Sequence, residues 1–345
     1  MKISVLYAGR ANPFVGWAVI DEFAELIAYY FKAELLSPKP ILRNRIERWL
    51  RLGRGQYEPL ETVGGDVLFV VANDPSGLSM VNAIADCRNK FSKIFGLITD
   101  SYFHSGYVKE TEFYDAITVT AHEDIEYPKK RFGIPVHQLY HGINGLVWAP
   151  RQQKRREIDL IAYGRIPKKY HMEFMRQFHR AESPNLYLHS PLGSVTGDSV
   201  HQERGMLFKL LHRSSVSLAF HLFVEPQGGR PRSMMVTSRW MESLVSGCIV
   251  AGKRPVSRMA EEMLFWPNAT VELSDDVTVA ADQVNTLISR NDLEEQRRIN
   301  ISKMLESHDW RYRIRSLCQW FQLPVPDALA QDLCRLQELS RNALG

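Results

Sequence analysis

At 345 residues the chain is too long for one small core and suits two domains of ordinary size. Hydrophobic residues make up 45% and charged residues 24%, the balance of a folded globular protein rather than a disordered one. The net charge of +4 fits phosphates or lipid head groups as partners and is too small to argue for nucleic acid.

The first predicted strand is Ile3–Ala8, reached from the start methionine with no apolar signal core or cleavage site. A helix follows over Gly16–Phe31. Further strands are expected at Asp66–Asn73, Lys93–Asp100, Ala116–Ala121 and Val136–Gly142. Nearly continuous apolar runs rich in Val and Ile imply burial on both faces, and hence a parallel sheet. Between the first two strands lies Lys39–Gly55, where five arginines interleave with Ile41, Leu42, Ile46, Trp49, Leu50 and Leu52. This segment fits a helix lying on an anionic membrane surface with Trp49 at the interface. It equally fits a basic helix that packs an apolar stripe on its own domain.

A polar, basic stretch at 149–157 reads as a linker between an N-terminal domain, 1–148, and a second domain, 158–306. The alternation restarts with strands at Ile158–Gly164, Leu186–Ser190, Val216–His221, Cys248–Gly252 and Thr270–Ser274. Helical patterns run from about Val277 to Leu323, and 307–345 forms C-terminal helices that return toward the first domain. Strand–helix alternation on this scale predicts an α/β chain with two doubly wound sheets. No run approaches the ~20 apolar residues that a membrane-spanning helix needs. The four cysteines are scattered without metal-ligand spacing, as in a reducing, cytoplasmic setting.

Ligands of open parallel sheets bind beyond the carboxyl ends of the strands. Three such ends carry chemistry. Tyr7–Trp17 holds Gly9 and Gly16, which allow close backbone approach or serve an ordinary turn. Tyr163–His171 gathers Arg165, Lys168 and Lys169, suited to phosphate oxygens or to a solvated turn. A Gly/Pro-rich loop after Val216–His221 leads into Thr237–Gly247, with Ser238, Arg239 and Glu242 at the helix start. Arg239 and Glu242 are three apart, so an intrahelical ion pair competes with a ligand contact. After the third strand, Asp100 and His104 are candidate catalytic groups, histidine being the commonest general base. No Ser/His/Asp order, zinc-ligand spacing or D-x-D motif appears, so a metal-independent site without a cofactor is expected.

Together these segments resemble the GT-B glycosyltransferases, which have two Rossmann-like domains facing across a cleft. Tyr140–Trp148, "YHGINGLVW", is similar to the H-G-I/V-D/N that ends the acceptor domain in the family 4 group. "IDLIAYGRIPKKYHMEFM" resembles the G-R-x-x-x-x-K-G that opens the donor domain. "TSRWMESLVSGCIVAG" resembles the R-x-x-E-x-x-x-x-G-x-x-V helix of the group 1 superfamily, notably its spore-protein-like branch, and "SHDWRYRIRSL" its C-terminal H-T-W-x-x-R.

The resemblance implies a glycosyltransferase using a nucleoside-diphosphate sugar and a saccharide or lipid-linked acceptor. It implies that Glu242 holds the donor ribose while Arg165, Lys169 and Arg239 neutralise the diphosphate, with Gly9 and Ser238 lining the nucleotide site. His104 falls where a sugar-contacting or catalytic histidine lies. One departure stands out: family 4 enzymes carry a second glutamate eight positions earlier, and Met234 occupies that place. Two other readings remain open, a GT-B-fold epimerase or phosphorylase and a non-catalytic subunit of a polysaccharide-assembly complex. The expected location is cytoplasmic, peripheral at the inner membrane face.

Overall fold

The computed structural model describes residues 1–9, 15–41, 57–152, 155–189, 200–225, 233–290 and 292–344. The Gly/Pro-rich loop before the Thr237–Gly247 stretch, and residues 42–55 of the expected membrane-surface segment, lie outside the described residues. The chain divides into two compact units: Met1–Tyr140 together with Ser233, and the remainder from His141 onward.

The first unit is built on six parallel strands in the order β2-β1-β3-β4-β5-β6. They are β1 (Ile3–Tyr7), β2 (Glu34–Leu36), β3 (Gly65–Ala72), β4 (Phe91–Ile98), β5 (Ala116–Val119) and β6 (Val136–Gln138). Both faces of β1, β3 and β4 are covered, and Leu6, Leu68, Val70, Ile94 and Ile117 are fully buried in one core. The expected helix forms as Ala18–Phe31, with Phe23, Ala24 and Ile27 buried along one face. Strand β2 has no counterpart among the sequence-based expectations. It is three residues long and only Leu36 is buried, so neither an apolar run nor an alternation marks it.

The second unit has five parallel strands in the order β11-β10-β9-β7-β8. They are β7 (Ile158–Ala162), β8 (Tyr187–His189), β9 (Ser214–Phe220), β10 (Ile249–Lys253) and β11 (Val271–Glu272). Its core joins Leu160, Val216, Leu218 and Ile249 of the strands to Tyr170, Phe174, Ala280 and Val284 of the flanking helices. The Leu293–Ser307 and Asp327–Leu344 helices pack on each other, with Ser302 Oγ and Ser340 Oγ 2.9 Å apart in the buried seam. The Trp310–Trp320 helix starts at Asp309, whose Oδ1 accepts the Arg311 N–H at 2.8 Å.

Two sequence motifs far apart in the chain meet in this unit. Asp309 Oδ2 accepts the Gly145 N–H at 2.7 Å, the Trp310 N–H donates to the Ile143 carbonyl at 3.1 Å, and the Ile143 N–H donates to the His308 carbonyl at 3.0 Å. The segment that begins the second unit is thereby fixed by backbone-level bonds to the "HDW" turn. No described helix is long and apolar enough to cross a membrane.

The strand orders locate each unit's crevice. In the first sheet the chain passes from β1 outward to β2 and then returns to β3 on the other side of β1. In the second it passes from β7 outward to β8 and returns to β9. Such reversals splay the loops apart at the carboxyl ends of β1/β3 and β7/β9, where open α/β sheets take ligands.

Candidate active site

In the second unit the β7 end, Tyr163-Gly164-Arg165, lies against the Ser238–Val245 helix. Gly164 has φ 67°, and a Cβ there would come within 2.8 Å of Arg239 Nη2. Only glycine lets the guanidinium approach, and Arg239 Nη1 donates to the Arg165 carbonyl at 2.7 Å. Burial pulls the Arg239 pKa down, opposed by Tyr163 and Glu242. The group stays cationic regardless, since a guanidinium does not deprotonate in proteins.

Glu242 is 4% exposed and does not pair with Arg239. Its Oε1 accepts Arg204 Nη1 at 2.6 Å, and its Oε2 accepts the Tyr163 hydroxyl at 3.2 Å. Tyr163 also reaches the Arg239 carbonyl at 3.1 Å and Ser243 Oγ at 3.2 Å, and Ser243 donates to Ser217 Oγ at 2.8 Å. Burial, then the neighbouring Glu242 charge, holds the Tyr163 phenol well above its ordinary pKa, so it remains a donor. The Arg204 guanidinium carbon lies 5.6 Å from the Trp148 ring centroid and 5.1 Å from that of Phe208. Those two rings stack at 4.2 Å and 6°.

Of the other predicted donor-site residues, Arg165 joins this network through its carbonyl, whereas the contacts of Lys169 lie elsewhere. Ser238 is the first residue of the helix, and Arg165 is exposed at the end of β7. Lys169 is exposed on the Lys168–Phe178 helix, donating to the Asp275 carbonyl at 3.1 Å and standing 5.1 Å over Tyr170. Glu225, the one glutamate of the preceding loop, accepts the Lys168 N–H at 2.8 Å and so tethers the start of that helix.

In the first unit the crevice residues are carboxylates and one histidine. Gly9 follows β1 with φ 55°, and a Cβ there would fall 2.3 Å from Ser37 Oγ, a steric reason for glycine at this turn. Asp100 follows β4 and accepts a hydrogen bond from the Trp17 side chain. Burial, and then the neighbouring Asp74 charge, pushes its carboxyl up to about 7. Asp74, after β3, accepts the Ser76 N–H at 2.7 Å and Ser76 Oγ at 2.5 Å.

His104 shares the turn after β4 with Asp100 but has different partners. Its Nε2 lies 2.9 Å from Oδ1 of the fully buried Asp124, whose Oδ2 accepts Ser101 Oγ at 2.6 Å and Ser233 Oγ at 3.1 Å. The ring stacks on Tyr127 with centroids 4.5 Å apart. Nδ1 is buried without a hydrogen-bond partner among the described residues. A carboxylate can only accept, so the Nε2 position carries the proton in this contact.

Asp74, Asp124, Tyr163 and Arg204 are not among the residues singled out from the sequence. Arg204 leaves one legible trace: it falls on the same helical stripe as Leu207, Phe208 and Leu211, which are buried. A charge where the periodicity calls for an apolar side chain marks a buried pair whose partner the sequence does not reveal.

Residues 164–319 match the glycosyl transferase-like family. HepE of Anabaena, solved with UDP and glucose, superposes with a TM-score of 0.58 at 7% identity, over 93% of this chain and 100% of its own. Sucrose-phosphate synthase of Thermosynechococcus elongatus superposes at 0.53 with 9% identity, over 93% and 98% of the two chains. At such identities the likeness establishes the fold. No curated protein matches the chain. The two parallel sheets with their flanking helices have the GT-B fold. The family match, over 164–319, falls almost wholly within the second unit.

Proposed function

We propose that the protein transfers a sugar from a nucleoside-diphosphate donor to a saccharide or glycolipid acceptor without a metal ion. The observation that carries this reading is Glu242, a carboxylate held by two fixed donors at the β7/β9 crevice, on the same helix as Arg239, which bonds the Arg165 carbonyl. A carboxylate offers about four acceptor positions, of which Arg204 and Tyr163 occupy two, leaving one on each oxygen for a ribose diol. The arginines and Lys169 stand where the diphosphate charge grows as the glycosidic bond breaks, and fixed cations there stabilise the departing nucleotide. HepE, which shares the fold, was solved with UDP and glucose, and this supports the reading.

In the first unit, His104 and Asp100 serve the acceptor hydroxyl, with Asp124 orienting the imidazole. The site works in the cytoplasm, with the basic 39–55 segment against an anionic membrane face. A thermal-shift panel of UDP-, GDP- and dTDP-sugars tests the reading. At least one donor should raise the melting temperature, and Glu242→Ala should reduce both that shift and turnover. No shift with any donor, or full turnover by Glu242→Ala, overturns it.

A further inference from the structure

Arg204 is a buried cation with no place in the recognised sequence motifs. Its guanidinium rests on the stacked Trp148 and Phe208 rings and presents Nη1 to Glu242 Oε1 at 2.6 Å. Both side chains are withdrawn from solvent, at 3% and 6% exposure. Aromatic faces on one side and a carboxylate on the other leave the guanidinium little freedom to rotate. Glu242 is therefore held at Oε1 by Arg204 and at Oε2 by Tyr163. All its side-chain hydrogen bonds within the described residues are those two.

We propose that Arg204 is a positioning residue for recognition of the nucleotide's ribose: it fixes Glu242 so that the carboxylate accepts both ribose hydroxyls. This rests on the assignment of Glu242 to the ribose. Trp148 gains a role from the same geometry. It closes the "YHGINGLVW" segment, and its ring seats the cation that seats the glutamate, while its carbonyl accepts His212 Nε2 at 2.8 Å. The preorganisation matters because a glutamate free among rotamers would lose entropy on each binding event, and an unpaired one would be costly to bury.

The experiment compares the tightest binder among UDP, GDP and dTDP with its 2′,3′-dideoxy counterpart, in full-length protein. The wild type should prefer the nucleotide bearing ribose hydroxyls by on the order of tenfold, the worth of charge-assisted hydrogen bonds. Glu242→Gln and Arg204→Met should each bring the two affinities together. Adding Arg204→Met to Glu242→Gln should change the ratio no further, because the arginine acts through the glutamate. That double variant also removes both buried charges at once, so it folds even where Arg204→Met alone does not. A purely structural arginine would weaken both ligands equally and leave their ratio intact.

The outcomes separate the two ideas. A wild type blind to the hydroxyls, with Glu242→Gln unchanged, overturns the ribose assignment and this inference with it. Discrimination that Glu242→Gln removes and Arg204→Met retains overturns the inference alone. A further loss on adding Arg204→Met to Glu242→Gln does so as well.

Discussion

At the scale of single residues, burial decides chemistry at Asp100, His308 and Arg204. The Asp100 carboxyl is pushed from 3.8 up to about 7, chiefly by burial, so the fold favours its protonated form. Stability from this group is fully present below the unfolded value and is lost as pH rises through about 7. Asp100→Asn should thus stabilise the protein at pH 8, by at most about 4 kcal/mol, read from urea unfolding. As a base Asp100 acts only when ionised, so the wild-type rate should climb through neutral pH and Asp100→Asn should flatten that rise. His308 runs the other way. Burial and Arg313 pull its pKa from 6.5 to about 3, so its contribution is present above 6.5 and lost as pH falls toward 3. His308→Gln should remove that acid-side decline, worth at most about 3 kcal/mol in denaturation curves taken between pH 7 and 4. Arg204→Met leaves Glu242 buried without its ion partner and should cost about 3 kcal/mol of stability.

At the scale of elements, buried polar side chains lock the Leu293–Ser307 helix to the second sheet. Asn300 is fully buried: its Oδ1 accepts Trp266 Nε1–H at 2.9 Å and Gln296 Nε2–H at 3.0 Å, and its Nδ2 donates to the Cys248 carbonyl at 3.0 Å. Asn300→Leu keeps the volume and strands those partners, so urea unfolding should show a loss of about 3 kcal/mol. Arg156 works similarly from the basic stretch after the Gly145–Trp148 turn. Its guanidinium donates to the carbonyls of Leu211, Ser214 and Ser246, tying helix ends that flank β9 and β10. A reading of that stretch as a solvated linker has no way to anticipate this, because the acceptors are main-chain atoms that composition does not mark.

For the molecule as a whole, donor binding should act on stability by mass action. A nucleoside diphosphate at about a hundred times its Kd should add about 2.7 kcal/mol to the unit that binds it. Two units with separate cores need not unfold together, so calorimetry should show the shift confined to one transition. The basic 39–55 segment carries its own test at this scale. Arg48→Glu with Arg51→Glu should weaken sedimentation with anionic vesicles, roughly 1 kcal/mol being at stake per removed cation.

The sequence by itself determined the parallel α/β character, most strand positions and the chemistry gathered at the β7 end. Apolar runs buried on both faces are a local signal, and "YGRIPKK" and "SRWMES" keep their residues close in the chain. Strand β2 escaped because an edge strand with one buried residue leaves no pattern. What only the tertiary structure decided is partnership. Arg239 and Glu242, three apart on one helix, face different acceptors and donors. Glu242 instead meets Arg204, which is 38 positions away, and His104 meets Asp124 across two strand ends. Periodicity reports which side of an element is buried; which charge waits there is set by how strands and helices far apart in the chain come together.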